Sequence, residues 1–257
     1  MADKKVSQKK NKEYWEEKAQ SNAGHFASWW DVNMKTIEIE NISSLLNKND
    51  YVLDIGCSNG ASTVEIAKNT GCKIHGVDNC KTAINFASEH YTSKKLSFEY
   101  ADILCMKSEP VFDKIYSIRC IINLMSFEKQ QAAIINIWKA LKPGGTYIMC
   151  EAFVQGFKNM NRIREIFNLP DLEIPEYNNY LEENEIDKFL SKYFEIVNIK
   201  KYSSIYYLGT RVFQYLINDG KCNGTDTAIH KFFKKYNNEN SYSGDFSPQK
   251  LYILKKK

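Results

Sequence analysis

A chain of 257 residues, 43% hydrophobic and 26% charged, is long enough to bury one large core with modest insertions and has the composition of a soluble globular domain. No window reaches the apolar length of a membrane span, and the basic N-terminus is not followed by the apolar stretch of a secretory signal, so no membrane insertion is expected. The net charge of +4 comes from lysines spread along the chain and clustered mostly at its two ends; no RNA-binding module or repeat is visible, which argues against a nucleic-acid partner.

Residues 1–47 carry Tyr14, Trp15, His25, Phe26, Trp29 and Trp30 in an otherwise polar stretch. Aromatic side chains at that density need burial, either against a sheet edge or over a ligand. The first strand follows as Tyr51-Val-Leu-Asp-Ile55, with Asp54 alone among apolar residues. Gly56 and Gly60 bracket a tight polar turn through Cys57 and Ser58, and Ala61, Val64, Ile66 and Ala67 then recur at helical spacing. Glycine there can take backbone angles that other residues resist. Lys73–Asp78 is a second strand ending in an acid, placed to accept hydrogen bonds from a ribose diol. Asp54 is ill suited to face a pyrophosphate and well suited to an ammonium group, which argues against a dinucleotide site.

Leu96–Tyr100 reads as a third strand, followed by Ala101-Asp102-Ile103, and Val111–Ser117 as a fourth. Gln130–Leu141 is an amphipathic helix that stops at Lys142-Pro-Gly-Gly145, before a fifth strand Thr146–Glu151. Further on the pattern predicts helices at 159–168, 182–192 and 212–217, and strands at 194–199 and 250–254. The seven cysteines form no C-x-x-C pair and read as free thiols in a reducing cytosol, with no metal site expected. No heptad repeat or long apolar edge is present, so a cytoplasmic monomer or weak dimer is the default.

The turn Asp54-Ile-Gly-Cys-Ser-Asn-Gly60, the acid Asp78, Asp102 after the third strand, Phe112-Asp113 and the Leu-Lys-Pro-Gly-Gly turn together resemble class I S-adenosylmethionine-dependent methyltransferases over residues 48 to 151, with Ser58 in place of a common middle glycine. The resemblance implies an α/β, Rossmann-like seven-stranded sheet with helices on both faces. It implies a helical lid over 1–47 and a methyltransferase domain over 48–257, with a cap insertion at about 152–192 and an excursion at about 203–247. It implies S-adenosyl-L-methionine as cofactor and S-adenosyl-L-homocysteine as product. Tyr14, Trp15, Asp54, Gly56, Cys57, Ser58, Gly60, Asp78, Asn79, Asp102, Ile103 and Ser117 would bind the cofactor.

The acceptor side is read from charge. Only four arginines stand among 35 basic residues, all in or beyond the fourth strand. A guanidinium fork suits carboxylate or phosphate. Arg119, Arg164 and Arg211, with Asn161, Asn179, Tyr180, Tyr206 and Tyr207, are the candidate acceptor-binding residues. Glu151 or His25 is the candidate base, should the acceptor need to lose a proton. The segments around Arg119, Arg162 and Arg211 resemble a bacterial subgroup acting on small polar metabolites, some of it in surface-polysaccharide or phosphonate pathways. The expected reaction is methyl transfer to an oxygen of a small polar, anionic acceptor. The alternatives are N-methylation of a small metabolite, a nicotinamide-dependent oxidoreductase, and a non-catalytic partner subunit. Arg119-Cys-Ile-Ile122 stands where DNA amino-methyltransferases often carry Asn/Asp-Pro-Pro-Tyr/Phe, which counts against that substrate.

Overall fold

The computed structural model describes residues 6–21, 31–107, 109–222, 224–239 and 244–257. In chain order the elements are α1 (Gln8–Ser21), α2 (Val32–Ser43), β1 (Tyr51–Ile55), α3 (Ala61–Thr70), β2 (Lys73–Asp78), α4 (Lys81–Tyr91), β3 (Leu96–Tyr100) and β4 (Phe112–Ile118). A 3₁₀ turn (Ile121–Asn123) leads to α5 (Phe127–Ala140), β5 (Leu141–Ala152), α6 (Val154–Ile166), α7 (Glu183–Leu190) and β6 (Phe194–Lys200). Then come α8 (Ser204–Leu208), a π-helical turn (Gly209–Phe213), α9 (Gln214–Ile217), α10 (Ala228–Glu239) and β7 (Gln249–Lys256).

The seven strands form one sheet in the order β3-β2-β1-β4-β5-β7-β6. The first five pair in parallel, and β7 runs antiparallel between β5 and β6. Successive side chains of a strand point to opposite faces, and a sheet covered by helices on both sides buries both sets. Leu53, Ile55, Ile115, Tyr147, Met149 and Tyr252 pack with Ala133, Ile134 and Ile137 of α5 and with Ile186 and Leu190 of α7. The alternate set, Val52, Ile74, Tyr116, Ile148, Cys150 and Leu251, packs with Ile39 and Ile42 of α2 and Ile66 of α3. The strand order reverses between β1 and β4, so the carboxyl ends of those strands open a crevice.

The seven-stranded architecture expected from the sequence is the one observed. Several bounds differ for local reasons. The helix expected from 159 begins at Val154, and Gly156 within it lets the helix lie close to the Ser247 carbonyl, which a Cβ there would meet. The helix expected at 212–217 is the end of a longer run from Ser204, widened at Gly209–Phe213, where Gly209 lets the Phe233 ring approach. The described residues among 1–47 form two separate helices. α1 lies along the crevice, whereas α2 packs on the sheet and, through Met34 and Ile37, against Met160 and Tyr206.

Candidate active site

The crevice holds a cavity of about 620 Å³ at the carboxyl ends of β1, β2 and β4. The glycine turn of its first half is built by short-range contacts. Gly56 and Gly60 have φ of +75° and +76°, so only glycine holds this turn without strain. A Cβ on Gly56 would stand 2.6 Å from the Cys120 side chain, and one on Gly60 would stand 2.8 Å from the Phe98 ring. The space that each glycine leaves is thus filled by protein, which fixes the turn against β3 and the segment after β4.

Asp54 is 3% exposed and accepts from Thr63 Oγ1 at 2.6 Å and Tyr116 Oη at 2.8 Å. Burial pushes its carboxyl up to about 7 despite both donors. Asp78 accepts from the Ser58 amide and the Cys80 amide, both at 2.8 Å, tying the glycine turn to the tip of β2. Burial raises its carboxyl as well. Asp54, Gly56, Cys57, Ser58, Asp78, Asn79 and Ile103 all line the cavity. Ala101 and Ile103 line it on either side of Asp102, whose Oδ1 accepts the Leu104 amide at 2.9 Å.

Helix α1 closes this half. Its Glu16 carboxylate accepts the Lys81 and Thr82 amides at 2.6 and 3.2 Å, capping α4 from outside that helix. At its other end Gln8 bridges the Asn123 carbonyl and the Met125 amide, and Asn11 donates to the Tyr177 carbonyl at 2.6 Å. Tyr14 stacks on Tyr177 at 4.4 Å between centroids, with Trp15 edge-on to both. All three rings line the cavity. Burial pushes the Tyr14 phenol up to about 12.

The second half is built by long-range contacts. Arg119 has a φ of +51° and a bidentate pair with Glu38 of α2, at 3.1 and 3.2 Å. Burial pushes the Glu38 carboxyl up to about 7 against the pull of Arg119. Arg211 pairs with Asp31 Oδ2 at 2.7 Å, and Asp31 also accepts from Tyr206 Oη at 2.6 Å and caps α2 at the Met34 amide. Arg119, Tyr180, Tyr207 and Arg211 line the cavity. Burial pushes the Tyr180 phenol up to about 12 and that of Tyr207 higher.

Gly60 and Asp102 stand beside the cavity without lining it, and six further sequence candidates stand elsewhere. Glu151 is fully buried and accepts from Ser117 Oγ at 2.7 Å and from the amides of Cys120, Ile121 and Ile122 at 3.1 to 3.4 Å. It caps the 3₁₀ turn from behind the wall, and burial pushes its carboxyl up to about 7. A catalytic base at Glu151 does not fit this geometry, nor does cofactor contact by Ser117, which is buried between Tyr147 and Glu151. Arg164 is 2% exposed, donates to the Pro170 and Arg211 carbonyls and stacks on Tyr215 at 4.5 Å; it braces the cap instead of facing an acceptor. Asn161 clamps both backbone groups of Leu172 at 3.0 Å. Asn179 donates to the Ile122 and Leu124 carbonyls, and Tyr206 points at Asp31. His25 lies outside the described residues. Conversely, Gln8, Asn11, Asn123, Tyr177 and Gln249 line the cavity without having stood out in the sequence. Helix α1's polar face toward the site, with Gln8 and Asn11 one turn apart, was the available signal.

An α/β sheet of this order, with a glycine turn between two acids and a covering helix, defines the class I methyltransferase architecture. Residues 46–197 match the methyltransferase-domain family, and the chain belongs to that family of S-adenosylmethionine-dependent enzymes. It is 37% identical over 108 residues to a phosphoethanolamine N-methyltransferase of Plasmodium falciparum, covering 41% of this chain and 40% of that protein. It is 34% identical over 111 residues to a sterol 24-C-methyltransferase of Kluyveromyces lactis, covering 41% and 29%. The matched segments thus span less than half the length of these curated relatives. The structure of a geranyl diphosphate C-methyltransferase from Streptomyces coelicolor A3(2), a complex with S-adenosyl-L-homocysteine, shares the fold with a TM-score of 0.61 and 14% identity over 97% of this chain and 98% of that one.

The cofactor is S-adenosyl-L-methionine, and the residues present fit it. A buried carboxyl held near 7 gains from an ammonium brought beside it. Trp15 lines the cavity beside Tyr14, and the apolar faces of both rings suit the uncharged parts of the cofactor. When bound, the cofactor supplies a methyl group on a sulfonium, whose C–S electron pair returns to sulfur as an acceptor lone pair takes the methyl.

Proposed function

We propose that the protein methylates an oxygen of a small polar, anionic acceptor held in the second half of the cavity. The observation that carries this reading is the pair of guanidinium groups, Arg119 and Arg211, on the wall beyond the cofactor half, each oriented by a buried acid. A fixed fork of donors suits carboxylate, phosphate or phosphonate. Glu151 is sealed behind the wall, which favours an acceptor oxygen that is already anionic and has no proton to lose. The work left to this chain is then positioning and exclusion of water, done by α1, Tyr177, Tyr180 and Tyr207.

Methylation of nitrogen on a small phosphate-bearing amine is the second reading, favoured by the similarity to the Plasmodium falciparum phosphoethanolamine N-methyltransferase. A screen of methyl acceptors with purified protein, reading S-adenosyl-L-homocysteine formation and locating the methyl group by mass spectrometry, tests both. A carboxylate or phosphonate ester as product supports the first reading. An N-methyl product selects the second, and a preference for neutral or nucleic-acid acceptors overturns both. We further propose a soluble, cytoplasmic monomer or weak dimer; none of the described helices is long and apolar enough to cross a membrane.

A further inference from the structure

Among the described residues ten large hydrophobic side chains are exposed, and five of them gather on one face. Phe213 ends the π-helical turn, and Leu216 and Ile217 stand three and four positions further along the same helical run, which puts all three on one side. Phe232 and Tyr236 stand four apart on α10, their rings stacked at 6.0 Å between centroids. Phe233 joins the two groups, with its ring 5.9 Å from that of Phe213 and 5.2 Å from that of Phe232. The five exposed side chains are between 41% and 61% accessible, so they present on the order of 500 Å² of apolar surface. One side of a standard protein–protein interface covers roughly 800 Å², of which about 60% is apolar, so the face has the apolar area that one partner of a stable pair contributes.

We propose that this face binds a second copy of the chain about a two-fold axis, with α9 of each copy laid against α10 of the other. The border of the face carries both signs. Asp219 follows α9 and Asp226 precedes α10, both exposed, while Lys231 and Lys235 are exposed on α10 itself. Exposed aspartates would be repelled by an anionic lipid surface. A two-fold contact instead sets residue i against j and j against i, so the aspartate edge beside α9 meets the lysine edge of the partner's α10 twice over. The Asp226–Lys231 pair, at 3.5 Å and with both side chains more than 60% exposed, is of the kind that holds little stability and is free to exchange partners across the contact. The face begins two residues after Arg211, so a second copy covers the exposed side of the segment that carries this cavity-wall guanidinium. The association sharpens the weak dimer proposed above and does not depend on the identity of the methyl acceptor.

Sedimentation equilibrium of the purified chain tests the proposal, with a two-copy species and a Kd of about 1–100 µM as the expected result. Phe213→Glu and Phe232→Glu each place a charge in the middle of the face and should weaken the dimer at least about tenfold. Both positions are exposed, so the fold is kept, which circular dichroism checks. Val111→Glu is the control: Val111 is exposed at the amino end of β4, the opposite end of the sheet from the cavity, and the variant should leave the dimer within about twofold. Calorimetry with S-adenosyl-L-homocysteine on all three variants should give an affinity within about twofold of the wild type, since none of them touches the cofactor half. A chain that stays a single copy at about 200 µM overturns the proposal. Retention of that single copy on phosphatidylcholine–phosphatidylglycerol vesicles, lost in Phe232→Glu, would then give the face to a lipid surface. A dimer that both Phe213→Glu and Phe232→Glu leave intact, or that Val111→Glu weakens as much as they do, overturns it as well, because the copies are then held elsewhere.

Discussion

The two halves of the cavity are held in different ways. In the cofactor half, Asp54 meets Thr63 nine residues later and Asp78 meets Ser58 twenty residues earlier, with Tyr116 and α1 the longer-range additions. In the acceptor half, Arg119 meets Glu38 across 81 positions and Arg211 meets Asp31 across 180. The glycine turn and the two acids of the first half are set mostly by local backbone geometry and form with the sheet, and α1 is then added from a distance. The second depends on α2, the cap and the segment after β6 arriving together. Substitutions in the second half should accordingly cost stability as well as acceptor binding, and those in the first should mainly cost cofactor affinity.

The largest effect falls on Asp31. Its carboxylate is fully buried and holds Arg211, Tyr206 and the first turn of α2. Removing one partner of a buried pair leaves the other charge uncompensated, so Asp31→Ala should destabilise the protein by about 3–5 kcal/mol. Urea unfolding followed by circular dichroism measures it. The comparison breaks if stability changes by less than about 1 kcal/mol, the size of an exposed pair.

Next in size is Asp78→Ala. The carboxylate accepts two amides and lines the cofactor half, so its loss should weaken S-adenosyl-L-homocysteine binding by about 1–3 kcal/mol. Calorimetry on wild type and variant gives the difference directly. Unchanged affinity would remove Asp78 from the cofactor site.

Most of the cofactor half was legible because its signals are short. One strand, one turn and one helix put Asp54, Gly56 and Gly60 in place, and one more strand brings Asp78. The resemblance supplied the topology that places those pieces side by side. The acceptor half was legible only as a list of residue types. Nothing in the order of residues says that Arg164 turns into the cap while Arg211 turns toward the cavity. Glu151 shows the limit well. Its place at the tip of the fifth strand was read correctly, but the 3₁₀ turn at Ile121–Asn123 aims three amides back at it. A clue was present: that turn has Cys120 and two isoleucines at its start, and no side chain of its own to cap those amides.

Arg119→Lys sharpens the comparison at the border between the halves. Lysine keeps the charge and loses the planar fork that meets Glu38. If Arg119 also holds the acceptor, kcat/KM should fall at least about tenfold, or about 1.4 kcal/mol, with cofactor affinity nearly unchanged. Steady-state kinetics paired with calorimetry on the same preparation separates the two. A fall in cofactor affinity of the same size would place Arg119 in the cofactor half, and equal efficiency would remove it from the acceptor site.

The smallest effect is a pH dependence confined to the cofactor half. Burial holds the Asp54 carboxyl near 7 in the ligand-free protein, well above its ordinary range. The sign for stability follows: the contribution of such a group is fully present below its unfolded value and is lost as pH rises through about 7. Cofactor binding has the opposite sign, because an ammonium beside Asp54 favours its ionised form. Between pH 6 and 8 the ionised fraction of a group titrating near 7 rises from about one tenth to about nine tenths. Affinity for S-adenosyl-L-homocysteine should therefore rise up to about ninefold over that range and flatten above it, with up to about one proton released on binding at pH 6. Calorimetry in two buffers of different ionisation enthalpy measures both quantities. Asp54→Asn should remove the pH dependence along with much of the affinity, while Arg119→Lys should leave it in place. An affinity that is flat from pH 6 to 8 in the wild type would mean that Asp54 does not meet the cofactor's charge.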